Sequence, residues 1–590
     1  MDGLTETQSI AQMFAAKYRE LFSSVPYTQG DMHKVEDTVK ALLLDTPFNN
    51  DCVINTEDVC AAVLRLKAHK REGSSELSTD YIINAGNDFM VHIACLLSAV
   101  IVHGVAPTSF LSSTVVPIPK GHNVNLSSSE NFRGIALSSI FGQIFDNIIL
   151  VRYQHQLASC DLQFGFKRNS STNLCSMVLK ETLSYYVNNQ TPVFCTFLDA
   201  SKAFDRIHYC KLFKLLIKRK LPPCIIRILV NLYTHNFLRV AWGSAITDYF
   251  SAVNGVKQGA VLSPVLFCVY LDGLLMTLSK AGVGCFIGCT FVGALAYADD
   301  IVLTAPTATA MRKVLKVCDN YAQEYCISFN ASKTKCMTLM PIKRRNLAIG
   351  FDQCGFQISG KSIESVQSFL HLGHLITSSL VDDDDIGRCH GQFVGQVNDT
   401  LCYFRNLSSF VRYNLFRSYC TSFYGCELWS LDNPHIEDVC VAWRKGLRRT
   451  WNISPRTHTH ILPLLCNCLP LRDEFCLRFL RFASKCLFHG SPLIRFVALH
   501  GITDTRGFSV IGRNVSFCMS RYDISLFDVF NGTFAKLIYA YAQRLCNTAT
   551  LASAEFLIET INLRDGLLVL PDNGLTFNEI NDIIDFICTS

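Results

Sequence analysis

The sequence has no CxxC pair and little charge: charged residues make up 17% of its 590 residues and hydrophobic residues 49%. An intrinsically disordered chain needs the opposite balance, so this composition excludes that class and leaves enough apolar surface for several cores. Without CxxC pairs or zinc-knuckle spacing, the common structural zinc modules are not indicated. The 27 cysteines are scattered through apolar stretches, which predicts reduced, buried thiols in an intracellular protein, with the nucleus and the cytoplasm both left open.

The sequence also lacks a large net charge and a clear membrane span. Lys and Arg total 54 against 49 Asp and Glu, and a net charge of +5 neither demands nor excludes a polyanionic partner. Residues 1–6 lack the basic and apolar regions of a signal peptide. The most apolar stretch, residues 89–107, contains His92 and His103, so we predict a buried helix there and no membrane partner.

Two apolar segments carry carboxylates at their ends. Residues 192–199 form a continuous apolar run that ends at Asp199, which is typical of a strand buried on both faces. Residues 286–305 predict two strands around a tight turn that holds Asp299 and Asp300. Clustered aspartates suit Mg²⁺, and two such ions ~3.5–4 Å apart can activate a hydroxyl and stabilise a leaving phosphate oxygen. An isolated Asp in a turn ordinarily only stabilises the turn, so the surrounding motifs decide whether these aspartates are metal ligands.

Six motifs surround these carboxylates in a fixed order. They are residues 116–120 (VPIPK), 131–137 (NFRGIAL), 197–205 (FLDASKAFD), 254–264 (NGVKQGAVLSP), 297–300 (YADD) and 330–334 (NASKT). Together they resemble the motifs of reverse transcriptases, with a wording closest to the non-LTR (LINE-type) retrotransposon polymerases. Residues 372–377 (LGHLIT) resemble the family's segment near the primer grip. The resemblance covers residues 60–380 well and 385–500 more loosely.

This resemblance implies an α+β right-hand polymerase fold with fingers, an antiparallel-sheet palm and a helical thumb. The predicted division is an N-terminal helical extension (1–100), a reverse transcriptase domain with fingers and palm (101–377), a thumb-like region (378–500) and a C-terminal tail region (501–590). The implied function is an RNA-directed DNA polymerase, which extends a DNA primer 3′-hydroxyl with dNTPs on an RNA template. The implied cofactor is a pair of Mg²⁺ ions, for which Mn²⁺ can substitute.

The resemblance also implies roles for the residues of these motifs. The implied metal ligands are Asp199, Asp299, Asp300 and the backbone carbonyl of Ala200, and Lys333 is a candidate proton donor to the departing pyrophosphate. Two basic residues, Lys120 and Arg133, match residues that grip the triphosphate, because a Lys point charge and an Arg fork both suit phosphate oxygens.

Three further positions are expected to bind the incoming nucleotide. Phe204 matches the aromatic residue that packs under the sugar and excludes a 2′-hydroxyl. The pair Gln258 and Gly259 is expected to open a helix, with the glycine allowing close approach of the backbone to the nucleotide and template.

Two charged stretches lie after the palm motifs. The basic, Trp-bearing stretch 441–456 could bind phosphates through its basic residues and stack its tryptophans on unpaired bases, and the alternative is a solvated helix face. The nucleic-acid contacts predicted in it are Arg444, Lys445, Arg448 and Arg449. The four-carboxylate run at residues 382–385 is expected to be a solvated loop.

Departures from the family keep other functions open. About 100 residues precede the fingers motifs, which is too short for the endonuclease domain that LINE-type proteins commonly carry, so an endonuclease is expected from another chain. The alternative function is a catalytically inactive, retrotransposon-derived nucleic-acid-binding protein. A maturase-like splicing factor on the same fold is a third option.

Overall fold

The computed structural model describes residues 1–25, 27–45, 53–72, 77–121, 124–341, 355–457, 459, 462–463, 466–504, 506–542 and 544. The α-helices in chain order are α1 (Thr7–Leu21), α2 (Gln29–Asp45), α3 (Thr56–Val63), α4 (Thr79–Ile83), α5 (Asn87–His103), α6 (Thr108–Leu111), α7 (Ile140–Arg152), α8 (Thr172–Asn188), α9 (Tyr209–Lys218), α10 (Pro223–Thr234), α11 (Ser263–Lys280), α12 (Ala308–Tyr325), α13 (Asp383–Tyr403), α14 (Ser409–Tyr419), α15 (Ile436–Trp451), α16 (Leu471–Leu487), α17 (Pro492–Ile502), α18 (Val510–Tyr522) and α19 (Leu526–Asn531).

The strands in chain order are β1 (Ser112–Pro119), β2 (Phe132–Leu137), β3 (Val193–Asp199), β4 (Asn236–Trp242), β5 (Ala245–Ile246), β6 (Phe250–Ala252), β7 (Phe286–Ile287), β8 (Thr290–Phe291), β9 (Ala294–Tyr297), β10 (Asp300–Ala305), β11 (Lys335–Leu339), β12 (Gln357–Ile358), β13 (Lys361–Ser362), β14 (Glu364–Ser365), β15 (Ser368–His371) and β16 (His374–Thr377). Short 3₁₀-helices cover Ser129–Asn131, Phe204–Arg206, Cys420–Ser422 and Cys426–Leu428.

The central sheet, which we call the palm sheet, has the strand order β14-β11-β3-β10-β9. Strand β3 pairs antiparallel with β10 on one side and β11 on the other, and its residues before Asp199 are all buried. This confirms the doubly buried strand that the unbroken apolar run predicts. Helices α8, α11 and α12 pack against the sheet, and α12 follows β10 within three residues of it, as the sequence indicates.

A second sheet, the fingers sheet, carries the two motifs at residues 116–120 and 131–137. Its strand order is β2-β1-β4-β5, with β6 also paired to β4. Helix α1 packs on this sheet, where Phe14 and Tyr18 join Val115 and Phe132 in a core separate from the main one. The first helix of the predicted N-terminal extension is therefore part of the fingers layer.

Helices α13, α14 and α15 pack together beyond the palm sheet, in the region predicted to resemble a thumb. The prediction of a solvated loop at residues 382–385 is wrong, because Asp382 and Asp385 are buried, at 5% and 0% exposure. Asp382 forms an ion pair with Lys180 of α8, and Asp385 accepts a hydrogen bond from Trp429 Nε1 at 2.9 Å. Buried carboxylates need such partners, and the ion pair with Lys180 joins the start of α13 to α8, which packs on the palm sheet.

The C-terminal helices pack on the palm rather than trailing away from it. Helix α17 runs through position 501, where the predicted tail begins, and both α17 and α18 contact α8. Asn514 of α18 bonds the backbone of Trp429 and Leu431 at 2.7 and 2.9 Å. The domain division itself stays a prediction, and residues 545–590 lie outside the described part of the chain.

Helix α5, which is 17 residues long, confirms a helix in the apolar stretch 89–107. It is buried on one face only, because Phe89, Val91, Leu96 and Val102 are between 41% and 45% exposed. Within the described ranges, α11 is the helix whose length and composition would allow it to cross a membrane, and 56% of it is buried inside the fold. A core helix of a folded domain passes the same test, so α11 is weak evidence for a span.

Candidate active site

Strands β3 and β10 bring the predicted carboxylates together. In their antiparallel register Asp300 lies directly opposite Asp199, and Asp299 precedes Asp300 in the turn between β9 and β10. Directly opposed residues of an antiparallel pair have Cβ atoms about 4.5–5.5 Å apart. Thr334, at the end of the 330–334 motif, accepts a hydrogen bond from the backbone nitrogen of Asp199 at 3.2 Å. Positions a hundred residues apart in sequence therefore meet at one end of the palm sheet.

The electrostatics of this cluster favour a cation. Burial and the neighbouring charges of Asp299 and Asp199 raise the pKa of Asp300 to about 6. Burial, with the charge of Asp199 as a smaller cause, also raises the pKa of Asp299. Like charges that crowd together destabilise their ionised forms, and a divalent cation between them removes that cost. The basic side chain of Arg133 acts on both carboxyls in the opposite direction.

The basic residues predicted to hold a triphosphate converge on the fingers side of these carboxylates. Lys120 follows β1 and donates a hydrogen bond to the carbonyl of Glu130, while Arg133 lies on β2 opposite Ile118, at the same end of the β1–β2 register. Burial, followed by repulsion from Lys333, lowers the pKa of Lys120. The two fingers motifs and the 330–334 motif therefore place positive charge around one space.

A fourth cation, which no sequence motif indicates, joins this group. Lys17 of α1 forms an ion pair with Glu130 at 2.8 Å and donates to Ser129 Oγ at 3.1 Å. Its charge is among the causes that lower the pKa of Lys120. Nothing in the local pattern of an amphipathic helix marks one lysine for such a role, because the contact spans more than a hundred residues.

Phe204 lies between two aromatic rings next to the carboxylates. Its ring stacks on Phe267 of α11 with centroids 4.5 Å apart and an interplanar angle of 19°. Phe166, which is half exposed, meets it edge-on at 6.3 Å. The stacking fixes the ring of Phe204 in place, as a residue that limits the size of a sugar pocket requires.

Gln258 is bound to a buried carboxylate rather than to open space. Its Nε2 lies 3.1 Å from each carboxylate oxygen of Asp205, the last residue of the 197–205 motif. Burial raises the pKa of Asp205 to about 7, with the hydrogen bond from Gln258 acting in the opposite direction. Sequence reasoning missed Asp205, although its place in the same motif as Asp199 was a usable signal.

The expectation that Gln258 and Gly259 open a helix is wrong, because α11 begins four residues later at Ser263. Gly259 instead lies in a loop with φ +111°, where an added Cβ would lie 2.8 Å from the carbonyl oxygen of Ala136 in β2. The backbone nitrogen of Ala136 donates to the carbonyl of Gln258 at 2.7 Å. The glycine is thus required for close approach of this loop to the fingers sheet.

Comparison with known proteins agrees with this geometry. The family described as "Reverse transcriptase (RNA-dependent DNA polymerase)" matches residues 118–376. This range contains Asp199, Asp299 and Asp300, and it contains all six motifs except residues 116–117 of the first. Residues 118–376 match a reverse transcriptase domain. They fold as the fingers and palm of a right-hand polymerase.

Several non-LTR retrotransposon proteins are similar to the chain. The R2 Pol polyprotein of Nasonia vitripennis is 26% identical over 253 residues, which are 42% of this chain and 24% of that protein. The polymerase of the mobile element jockey of Drosophila melanogaster is 22% identical over 465 residues, or 74% of this chain and 48% of that protein. The chain spans between about a fifth and two fifths of the length of the first relatives that it matches. A solved structure, an apo telomerase from Candida tropicalis truncated from its C-terminal domain, is 16% identical with a TM-score of 0.32 and covers 46% of this chain and 54% of its own.

The reverse transcriptase domain offers hard oxygen ligands that fit a divalent metal. Asp199 supplies a carboxylate from the end of β3 and Asp299 one from the turn before β10, and the raised pKa of Asp299 and Asp300 shows the electrostatic demand for positive charge. Across the residues described, no three His, Cys, Asp or Glu side chains form a group that could hold a metal by themselves. Ligation here would therefore need oxygens from the Ala200 backbone and from the substrate phosphates as well.

The predicted nucleic-acid residues of α15 are mostly engaged within the chain. Arg444 pairs with Glu437 at 2.7 Å, Arg449 donates to Asn398 Oδ1 at 2.7 Å, and Arg448 donates to the carbonyl of Thr457. Lys445 is exposed. The idea that the neighbouring tryptophans stack on unpaired bases is wrong, because Trp443 and Trp451 are both 6% exposed and belong to the core.

Proposed function

We propose that the chain is an RNA-directed DNA polymerase that extends a primer 3′-hydroxyl with deoxynucleoside triphosphates on an RNA template. The observation that carries the proposal is the β3–β10 register, which sets Asp300 opposite Asp199 with Asp299 beside it. The surrounding cations and the aromatic ring at Phe204 complete the parts that nucleotide addition needs. No side chain acts as a nucleophile, since the primer supplies the attacking oxygen.

Two Mg²⁺ ions, with Mn²⁺ as a substitute, are the proposed cofactor. Asp199, Asp299 and the Ala200 carbonyl would hold them, with Asp300 as a further carboxylate. When bound, the ions stabilise the charge that develops on the attacking and leaving oxygens during in-line displacement. The aspartates would offer ligands in a fixed arrangement, because Asp199 ends β3 and Asp299 directly precedes β10, and these two paired strands are buried.

The basic residues orient and neutralise the triphosphate. Lys120 directly follows β1 and Arg133 lies on the antiparallel partner β2 opposite Ile118, so the two residues lie at the same end of this strand pair. Each hydrogen bond to a phosphate oxygen adds charge-assisted binding energy. Lys333, which is exposed and close enough to Lys120 to lower its pKa, would donate a proton to the departing pyrophosphate.

The proposed partners are an RNA template and a DNA primer, bound in part through the basic residues of α15. Lys445 supports this, because its exposed ammonium can reach phosphates without breaking an internal pair. An endonuclease supplied by another chain would create the primer end. We place the protein inside the cell, in the nucleus, the cytoplasm or both, where its many buried thiols stay reduced.

Primer extension on a primed RNA template with dNTPs and Mg²⁺ tests the proposal. Wild type adds nucleotides, and Asp299→Asn reduces the rate by at least about 10²-fold, because it removes a charge that acts in the transition state. The matched control is Asp37→Asn, an exposed aspartate on α2. If wild type binds the template–primer and adds no nucleotide with Mg²⁺ or Mn²⁺, the polymerase proposal fails and the inactive nucleic-acid-binding protein is left.

A further inference from the structure

The turn between β9 and β10, which carries Asp299, is hydrogen-bonded to a segment that lies outside the six motifs. Residues 162–165, which we call the bracing segment, run beside β9 on the edge away from β10. The backbone nitrogen of Phe164 donates to the Ala296 carbonyl at 2.7 Å, and the Ala296 nitrogen donates to the Leu162 carbonyl at 2.8 Å. Strand β9 is therefore fixed on both edges, by β10 on one and by the bracing segment on the other.

The side chain of Gln163 reaches from this segment to the turn itself. It is 1% exposed, and its Oε1 accepts a hydrogen bond from the backbone nitrogen of Ala298 at 2.8 Å. Its Nε2 donates to the carbonyl of the same residue at 3.3 Å. One amide thus satisfies both backbone groups of Ala298, the residue immediately before Asp299.

Ala298 needs such support because of its conformation. Its φ is +58°, in the left-handed region that residues with a Cβ rarely adopt. A residue held in this region persists when its surroundings over-determine it, and such positions cluster at functional sites. If Ala298 relaxed, the peptide that leads into Asp299 would rotate, and both carboxylates of the turn would move relative to Asp199.

The bracing segment is itself anchored and closely fitted. A Cβ on Gly165 would lie 2.4 Å from the Ala298 nitrogen, so this approach is possible only for glycine. The Gly165 nitrogen also donates to Gln163 Oε1 at 2.8 Å, which fixes the orientation of the amide. Two residues before the segment, the backbone nitrogen of Cys160 donates to Asp272 of α11 at 2.7 Å. The segment is therefore a rigid support fixed to the palm's long helix.

We propose that Gln163 is a positioning residue, which holds Ala298 in its left-handed conformation and thereby sets where Asp299 and Asp300 stand relative to Asp199. The inference rests on the proposed function for its consequence, although the contact itself can be measured without any reaction. It predicts that loss of the amide weakens metal binding and slows the chemical step while leaving dNTP binding nearly intact.

The first test uses Gln163→Met, which keeps the length of the side chain and removes both polar atoms, with Gln323→Met on an exposed face of α12 as the control. Hydrogen exchange of the Ala298 amide is expected to accelerate by about tenfold or more in Gln163→Met alone. Affinity for Mn²⁺, read from the electron paramagnetic resonance of the free ion, is expected to fall about 10- to 100-fold, the range for groups that orient metal ligands. Unchanged exchange, or faster exchange with unchanged Mn²⁺ affinity, overturns the proposal.

A second variant covers the case in which Gln163→Met does not fold. In Gln163→Glu the acceptor oxygen stays and the donor is present only while the buried carboxyl is protonated. We expect its primer-extension kcat, relative to wild type at each pH, to rise as the pH falls from about 8.5 to 6.5, with the dNTP KM within about twofold of wild type. A ratio that is flat with pH, or a loss confined to KM, contradicts the proposal. If wild type adds no nucleotide, the proposed function fails, and the exchange and Mn²⁺ measurements on this variant still decide the role of Gln163.

Discussion

The amide of Gln258 donates from Nε2 to both carboxylate oxygens of Asp205, each at 3.1 Å, and so joins the 254–264 motif to the 197–205 motif. Asp205 is 6% exposed, and burial raises its pKa to about 7. A carboxyl in such a site is protonated through most of the acidic range. Gln258, which is predicted to bind the nucleotide, is therefore hydrogen-bonded to a carboxyl group whose pKa lies near neutrality.

Asp205 predicts a specific pH dependence of stability. The pKa is raised above its unfolded value near 3.8, so the folded state binds the extra proton, and stability falls as the pH rises from about 4 to about 7 and then levels off. At about 1.4 kcal/mol per pKa unit, the loss is up to about 4 kcal/mol. Asp205→Asn should remove this part of the decline, which urea unfolding of both proteins from pH 4.5 to 8 measures. An identical slope in the two proteins would contradict the assignment.

Phe204 should control selection of the sugar. Its ring is fixed by stacking on Phe267, so replacement by a smaller residue opens space where a 2′-hydroxyl would lie. We expect Phe204→Val to raise the relative efficiency of ribonucleotide incorporation by about 10- to 200-fold, the usual range for a change in pocket size. Single-nucleotide kcat/KM values for a matched dNTP and rNTP give the ratio. Phe204→Tyr keeps the bulk and should keep the discrimination; equal loss in both variants would show that size is not the cause.

Lys120 should act mainly through binding of the triphosphate. Its ammonium lies in the cationic group with Lys333 and Lys17, and a hydrogen bond from a charged donor contributes about 1.5–3 kcal/mol. Lys120→Ala is therefore expected to raise the KM for dNTP about 10- to 100-fold, as single-nucleotide extension would show. Lys40→Ala, at an exposed position on α2, is the control and should leave KM unchanged.

Lys17 provides a graded comparison with Lys120. It is bound to Glu130 and Ser129 rather than open to the nucleotide, so Lys17→Ala should raise the KM for dNTP by only about two- to threefold, through the mobility of the loop around Glu130. The same extension assay measures it. A larger effect than that of Lys120→Ala would mean that Lys17, and not Lys120, is the main phosphate contact.

The basic face of α15 predicts a difference between neighbouring residues. Lys445 is exposed, whereas Arg444 pairs with Glu437, so only Lys445 is ready to release counterions from a phosphate backbone. In Lys445→Ala the slope of log K against log salt for template–primer binding should become shallower by about one unit. Arg444→Ala should change the slope less. Equal slopes in wild type and Lys445→Ala would place the nucleic acid elsewhere.

The meeting of the carboxylates was predictable, and its details were not. The apolar run that ends at Asp199 and the paired strands around Asp299 indicate a buried sheet edge, because local periodicity reports strands well. The register that sets Asp300 opposite Asp199 depends on the packing of whole strands, which no local pattern contains. The same holds for Lys17, whose contact with Glu130 joins residues 113 positions apart in the chain.

The burial of carboxylates was the feature that the sequence predicted least well. The run at residues 382–385 has the composition of a solvated loop, yet Asp385 is fully buried because Trp429, Arg388 and a backbone nitrogen satisfy it. Partners supplied by distant segments decide whether a carboxylate can be buried. The prediction that a helix begins at Gln258 is wrong for the same reason. Distant partners hold this segment as a loop: Asp205 accepts a hydrogen bond from the Gln258 side chain, and Ala136 of the fingers sheet donates to its carbonyl.

Anomalous diffraction from the protein bound to primed RNA, a non-hydrolysable dNTP analogue and Mn²⁺ tests the central claim most directly. The account predicts two manganese peaks about 3.5–4 Å apart between Asp199 and Asp299, with the analogue's phosphates completing their coordination. A map in which manganese avoids these two aspartates, while the nucleic acid is bound, would contradict it.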